Sequence, residues 1–365
     1  MLKTTNIESL PDETLFEILV RVPAQDICNA SRFVCRKWYQ IIRTREFVHA
    51  HLKQSTLGLL IHHMASKNDG PIFVSTQKGE IEISNINYKL KQEVLSSCNG
   101  LILECRDKSR RYDLCITNPV TKQRLSLPPF LPNTRSYSST IAYVFASTEY
   151  KLVHPFYDDS KARDEIAILT VGVDTDWTRR VSIQHLYQSS KNDIPLLNEK
   201  PLCTEGFVHW VERRSVRAMR NPEYVLTLNI ETEIVTQFRF PFYCESSLYY
   251  YLTTGSHLTL LIASDVLCWD VWEMKSETGE WKNVMIIDLE PEKDRFASVA
   301  RFEPVGWLNF GEVLVFSLCI RTYSNIPIPN KFCVAYNVRT DEIIGAFCTA
   351  GFNKFAGHRN SLVWF

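Results

Sequence analysis

The sequence predicts an α+β multidomain chain in which an N-terminal three-helix module precedes an all-β propeller of six blades. Helical periodicity is confined to roughly the first 50 residues. After residue 55 the apolar runs are short and rich in β-branched and aromatic residues, and a threonine-centred turn recurs roughly every 50 residues. We therefore divide the chain into a helical domain at residues 1–52, a linker at 53–56 and a propeller at 57–365.

The composition narrows the class of partner. Lys+Arg and Asp+Glu both number 41, and a net charge of zero argues against binding nucleic acid by bulk phosphate neutralisation. No apolar run approaches the roughly 20 residues that span a bilayer, so we expect no membrane partner. The eleven cysteines are scattered without a CxxC pair, which favours reduced thiols and a cytoplasmic and/or nuclear location.

The first predicted helix begins near Pro11, whose missing N–H costs nothing at a first helical position. Asp12 and Glu13 follow in the first turn, where negative charge suits the helix dipole. Four apolar residues then share one helical face: Leu15, Ile18, Leu19 and Val22. Pro23 disfavours helical backbone at the residue before it and ends the helix.

A second helix is expected after Asp26, which can cap it, and a third covers Arg45 to Leu52. The apolar face of the second helix comprises Ile27, Ala30, Val34, Trp38 and Ile41, with Cys35 and Ile42 at its edge. A helical unit of this size has a weak core of its own. The sequence therefore predicts that a second polypeptide covers part of this apolar surface.

The N-terminal module resembles an F-box, through Leu10-Pro11-Asp12-Glu13 and the apolar residues that follow in order. The resemblance implies docking on the Skp adaptor of a cullin–RING ubiquitin ligase. The adaptor contacts it implies are Leu10, Pro11, Leu15, Ile18, Leu19, Val22, Pro23, Ile27, Val34, Cys35, Trp38 and Ile42. The alternative is a helical subdomain that packs on its own body without a partner.

The body contains a repeated phrase in which an apolar strand leads into a polar turn with a central threonine. It reads ITNPVTKQ, TVGVDTDW, TLNIETEI, EMKSETGEW and AYNVRTDEI, centred on Thr121, Thr175, Thr232, Thr278 and Thr340. Asn, Asp and Thr side chains stabilise tight reversals, which we expect between the outer strands of each blade. The C-terminal SLVWF is expected to complete the first blade and close the ring. A pair of β-sandwiches is the alternative fold.

The body also resembles the kelch-like F-box-associated domain of plant F-box proteins. The residues that carry this resemblance are Ser97-Cys98-Asn99-Gly100-Leu101, Asn118-Pro119-Val120-Thr121, Glu149-Tyr150-Lys151-Leu152-Val153, Trp177, Gly206-Phe207-Val208-His209-Trp210 and Asp270-Val271-Trp272. The resemblance implies that the propeller holds a protein substrate.

Catalytic and metal-binding motifs are absent from the sequence, which has no GxGxxG, P-loop, HExxH or GxSxG. His62 and His63 are adjacent in a predicted strand and point to opposite faces, so they do not form a metal site. We expect no catalytic residue, no metal and no cofactor. Four arginines in one loop could bind an acidic or phosphorylated substrate, or could be a solvated loop: Arg213, Arg214, Arg217 and Arg220.

Together these features predict a non-catalytic, substrate-recognition subunit of an SCF-type E3 ubiquitin ligase. Its partners would be a Skp-type adaptor, a cullin through that adaptor, and an unknown protein substrate. A stand-alone binding propeller, lectin-like or scaffold, is the alternative. An enzyme on a propeller scaffold would require titratable groups gathered at the central channel, and the spacing in the sequence indicates no such cluster.

Overall fold

The helical module occupies the start of the described chain in the computed structural model. The structure describes residues 10–63, 70–108, 111–130, 134–177, 179–183, 197, 200–211, 224–240, 248–320, 330–350 and 353–364. The four α-helices in these ranges are α1 (Asp12–Leu19), α2 (Ala24–Asn29), α3 (Arg36–Ile42) and α4 (Arg45–Gln54). The helical N-terminus that the sequence predicts is confirmed, and strands form most of the chain after α4.

The predicted second helix is present as two short helices joined by a 3₁₀ turn at Ser31–Phe33. Cys35 is extended (φ −157°, ψ 170°) and Ala30 is also non-helical, so a single helical face cannot run through the segment. Pro23, with φ −53° and ψ 141°, precedes the first residue of α2 as its N-cap, in the place predicted for Asp26. Pro11 is likewise the N-cap of α1 rather than its first residue.

Six antiparallel sheets form the propeller, and we number them as blades along the chain. Blade 1 contains β1 (Gly58–His63), β2 (Ile72–Gln77), β3 (Glu80–Asn85) and β25 (Asn353–His358); blade 2 contains β4 (Glu93–Cys98), β5 (Leu101–Lys108), β6 (Arg111–Asn118) and β7 (Gln123–Ser126). Blade 3 contains β8 (Thr134–Ser136), β9 (Thr140–Val144), β10 (Glu149–Asp158), β11 (Arg163–Thr170) and β12 (Arg179–Ser182); blade 4 contains β13 (Leu202–Thr204), β14 (Phe207–Val211), β15 (Tyr224–Asn229) and β16 (Ile234–Arg239).

The last two blades complete the circle. Blade 5 contains β17 (Tyr249–Thr253), β18 (Leu258–Ala263), β19 (Cys268–Met274) and β20 (Trp281–Asp288); blade 6 contains β21 (Val299–Leu308), β22 (Val313–Ile320), β23 (Asn330–Asn337) and β24 (Glu342–Ala350). Each innermost strand contacts the innermost strands of both neighbouring blades, from β25 through β4, β9, β13, β17 and β21 back to β25. The six-bladed propeller that the sequence predicts is therefore confirmed.

The strand that closes the ring is β25, which pairs antiparallel with β1 from Gly58↔His358 to His63↔Asn353. The sequence pattern assigned this role to SLVWF, and that assignment is wrong. Leu362 and Val363 are buried next to blade 2, where they pack against the helical module and the propeller core. Because β25 already pairs with the free edge of β1, the residues around Leu362 and Val363 are not needed in the sheet. They contact both the helical module and the propeller instead.

The repeated turns lie between the last two strands of blades 2 to 6, where the five threonines are found. In three of these turns the preceding asparagine accepts hydrogen bonds from the backbone N–H groups two and three residues ahead. These asparagines are Asn118, Asn229 and Asn337. The side chains thus close the reversals that the sequence predicts between outer strands.

The helical module packs directly on the propeller. A shared apolar cluster joins Leu19 and Phe47 of the module to Val120 of blade 2 and to Leu362. The buried amide of Asn118 donates hydrogen bonds to two carbonyl oxygens of the C-terminal segment, those of Ser361 (3.2 Å) and Val363 (2.7 Å). The C-terminal residues therefore lie between the helical module and blade 2 and attach the module to the blade. α4 ends at Gln54 and β1 begins at Gly58. The division into a helical domain at 1–52, a linker at 53–56 and a propeller at 57–365 stays a prediction.

Candidate functional site: an apolar surface on the helices and a central channel

The helical module leaves several large apolar side chains open to solvent. Ile18 in α1 is 44% exposed, and Phe33 and Val34 around the 3₁₀ turn are 69% and 52% exposed. The 3₁₀ turn contacts α2 and α3, and α1 also contacts α3, so these residues belong to one packed unit. Exposed side chains of this size concentrated on one small module are typical of a protein–protein contact.

The twelve predicted adaptor contacts divide evenly by burial. Those in the core of the module are Leu15, Leu19, Ile27 and Ile42; those half-buried are Leu10, Val22, Cys35 and Trp38; those exposed are Pro11, Ile18, Pro23 and Val34. The first four are all buried within this chain, and Leu19, Ile27 and Ile42 belong to the apolar cluster that also contains Leu362. The surface available to a partner is therefore narrower than the apolar pattern predicts.

Two exposed aromatic residues of the module were missed by the sequence pattern. Phe33 and Tyr39 are absent from the apolar face predicted for the second helix, and Tyr39 is 43% exposed with the Arg43 guanidinium 5.1 Å from its ring centre. A continuous helix from Ile27 to Ile42 would place Phe33 off the apolar face, between Arg36 and Lys37. A large aromatic side chain outside the apolar face is the feature of the sequence that could have indicated an exposed contact residue here.

The start of α1 is held against α3 by one lysine. Lys37 Nζ donates to the backbone oxygen of Leu10 at 2.6 Å and lies 2.8 Å from the Asp12 carboxylate. These contacts order the chain at Leu10 and Pro11, just before the first helical residue. Beside them, a shallow groove of about 360 Å³ is lined by Phe16, Ile41, Thr44 and the acidic residues of α1.

The propeller encloses a central cavity of about 620 Å³. Its walls come from the innermost strands, and His49, Leu52 and Lys53 of α4 also line it. The turns that follow the innermost strands contribute to its lining, among them Phe145, Glu205, Phe310 and Arg359. The cavity thus extends to the end of the channel that lies next to the helical module.

Three buried histidines lie in the propeller, each hydrogen-bonded to a hydroxyl oxygen. His154 Nδ1 lies 2.6 Å from Ser139 Oγ, His209 Nε2 lies 2.9 Å from Thr204 Oγ1, and His358 Nδ1 lies 2.7 Å from Ser97 Oγ. Burial lowers the pKa of His154 and His209 to about 3 and that of His358 to about 4. They are neutral near pH 7 and act in packing and hydrogen bonding, and the bond between His358 and Ser97 joins blade 1 to blade 2.

The predicted substrate-binding arginines, Arg213, Arg214, Arg217 and Arg220, lie outside the described residues, between β14 and β15. In the described part of the chain, no three His, Cys, Asp or Glu side chains are grouped so that they could hold a metal ion. The helices in that part are also too short or too polar to cross a bilayer.

Comparison with known proteins identifies both parts of the chain. The F-box associated beta propeller domain family matches residues 49–353, and the F-box-like family matches residues 7–54. An F-box protein of Arabidopsis thaliana is 26% identical, with 47% of this chain and 43% of that protein covered. A putative F-box/kelch-repeat protein of the same plant is 29% identical, with coverage of 41% and 40%.

F-box protein CPR1, also from Arabidopsis thaliana, is 26% identical over 43% of this chain and 40% of its own length. The chain thus spans less than half the length of these curated relatives. The two family matches confirm the resemblances that the sequence predicts for the helical module and for the body. Because the propeller match covers most of the chain, this protein belongs to the F-box associated beta propeller domain family and has an F-box-like module at its N-terminus.

Proposed function

We propose that this protein is the substrate-recognition subunit of an SCF-type E3 ubiquitin ligase. Its F-box-like module would dock on a Skp-type adaptor, and through it on a cullin, while the propeller would hold a target protein for ubiquitination. The observation that carries the proposal is the exposed apolar surface of Ile18, Phe33 and Val34 on that module. Burying a large apolar side chain in a contact is worth roughly 1.5–3 kcal/mol.

The packing of the module on the propeller suits this role. The C-terminal segment around Leu362 is buried between the two, so the module has a defined position on the propeller body. A receptor of this kind needs no nucleophile, because it raises the effective concentration of the target near a ubiquitin-charged partner enzyme. We therefore propose a non-catalytic subunit with a cytoplasmic and/or nuclear location.

The adaptor contact is tested by charging the exposed residues of the module. Ile18→Glu and Val34→Glu should each weaken co-purification with a Skp-type adaptor by roughly tenfold to a hundredfold, because a buried carboxylate replaces an apolar contact. Ile83→Glu is the matched control: Ile83 is 50% exposed, but it lies on the outer strand of blade 1. Leu19 is unsuitable for this test because it is fully buried, and its substitution would unfold the module.

The result that would contradict the adaptor contact is equal adaptor binding by both charged variants and by the control, with unchanged circular dichroism. A stand-alone binding propeller, lectin-like or scaffold, is the alternative. It would require the purified chain to remain monodisperse alone and to gain no mass on mixing with the adaptor. On the target side, the four arginines between β14 and β15 stay a prediction for binding acidic or phosphorylated groups.

A further inference from the structure

The central channel has the size of a small-molecule site. Its cavity of about 620 Å³ falls within the roughly 300–1,000 Å³ of pockets that hold small ligands. Apolar groups such as Leu57, Val305, Trp307 and Phe355 line it, together with polar groups such as Ser97. Mostly apolar walls with a few fixed polar atoms are the usual composition of such pockets.

One half-buried cation at this cavity forms no ion pair with a described carboxylate. Arg359 follows β25, lines the cavity and is half-buried, and burial lowers the pKa of its guanidinium. The Glu205 carboxylate acts on it electrostatically, but it is exposed and forms no ion pair with it. A charge that is partly removed from water without a partner is costly, and an anionic ligand would offset that cost.

The guanidinium packs on an aromatic ring in a turn with left-handed backbone. It lies 4.3 Å from the centre of the Phe310 ring, which also lines the cavity. Asn309 and Phe310 both have left-handed backbone (φ 47° and 56°), which costs about 1–3 kcal/mol for a residue other than glycine. The Gly255 turn of blade 5 lies next to this ring, which is 40% exposed: a Cβ added at Gly255 would be 3.4 Å from it.

We propose that this end of the channel is a binding site for a small organic acid. Its carboxylate would meet the Arg359 guanidinium, and its apolar body would enter the cavity. The size of the cavity favours a small molecule over a polypeptide, because about 620 Å³ lined by all six blades and by His49, Leu52 and Lys53 of α4 suits a compact ligand. An extended acidic segment would need an open groove. This site is independent of the proposed adaptor contact, which uses a different surface.

The experiment compares a matched pair of probes, 2-naphthoate and its uncharged analogue 2-naphthamide, on the full-length chain by titration calorimetry. We expect saturable binding of the acid and at least tenfold weaker binding of the amide, since hydrogen bonds to a charged group are worth roughly one to two orders of magnitude. Arg359→Gln should lower the affinity for the acid at least tenfold and leave that for the amide unchanged. The control Arg239→Gln removes an exposed arginine at the end of β16 and should change neither.

A second variant keeps the proposal testable if Arg359→Gln does not fold. Ala356 is half-buried in β25 and lines the cavity, so Ala356→Leu should fill part of it and weaken both probes at least tenfold. Three results would overturn the proposal: no saturable binding of 2-naphthoate, equal binding by Arg359→Gln and the parent chain, or unchanged affinities in Ala356→Leu. Displacement of 2-naphthoate by an acidic peptide at comparable concentration would also overturn it, because it would assign the site to a polypeptide.

Discussion

Asn118 offers the most direct test of how the helical module is fixed to the propeller. Its side chain is fully buried and makes four hydrogen bonds. It donates to the carbonyl oxygens of Ser361 and Val363, and it accepts from the backbone N–H groups of Val120 (2.9 Å) and Thr121 (3.2 Å). Asn118→Ala would therefore leave up to four backbone groups without partners, each costing roughly 1–3 kcal/mol.

Asn229→Ala is the matched control, because Asn229 occupies the same place in the blade 4 turn. Asn229 is half-buried and accepts only from the backbone N–H groups of Glu231 and Thr232, both exposed to water. Water can replace those bonds, so we expect a loss of about 1 kcal/mol there and about 4 kcal/mol for Asn118→Ala. At a slope of about 3 kcal/mol/M, the difference is about 1 M in the urea midpoint.

The assay is equilibrium urea unfolding of both variants, with limited trypsin digestion as a second measurement. Lys53 in α4 is exposed, and cleavage there should accelerate in Asn118→Ala, because the C-terminal segment beneath the module loses two anchoring bonds. Equal midpoints for the two variants would refute the reasoning. It would show that the buried bonds of Asn118 contribute no more than those of a surface turn.

Two further predictions concern buried charge and pH. Glu233→Gln should lower the free energy of unfolding by roughly 3 kcal/mol, because Lys151 is only 7% exposed and its Nζ lies 2.6 Å from the Glu233 carboxylate. The control Glu290→Gln breaks an exposed pair and should cost under about 1 kcal/mol; equal losses would contradict the prediction. Acidification should destabilise the fold below pH 6.5, because His154 and His209 stay neutral down to about pH 3 when folded, whereas the unfolded chain binds protons from about pH 6.5. Each of these histidines lowers the free energy of unfolding by up to about 1.4 kcal/mol for every pH unit between these two pKa values. Urea midpoints should fall from pH 7 to 5 and fall less steeply in His209→Gln; the same pH slope in this variant as in the parent chain would exclude that contribution.

Local sequence patterns were enough to predict the order of the two parts and the blade number. The turn asparagines and threonines act through bonds to backbone groups two or three residues away, so their effect is visible in a short stretch of sequence. The same holds for Pro11 and Pro23, because the proline ring restricts the local backbone and each of these residues directly precedes a helix. The break between α2 and α3 was missed because no proline or glycine marks it.

The candidate surfaces depended on contacts that a sequence pattern does not contain. The apolar periodicity of α1 places both Ile18 and Leu19 on the apolar face. Leu362, which is distant in the sequence, packs in the cluster that buries Leu19, whereas Ile18 stays exposed. Likewise, no sequence pattern links Arg359 to Phe310, because only the closure of the propeller ring brings these two residues into contact.

The sequence alone therefore determined much of the local structure: the strands, the turns between them and their repeat. Only the tertiary structure decided that β25 closes the ring, that the C-terminal segment joins the module to blade 2, and which apolar side chains stay open to a partner. Burial is a property of long-range packing, and residues of the same type at equivalent turn positions, such as Asn118 and Asn229, differ because only one of them lies beneath another part of the chain.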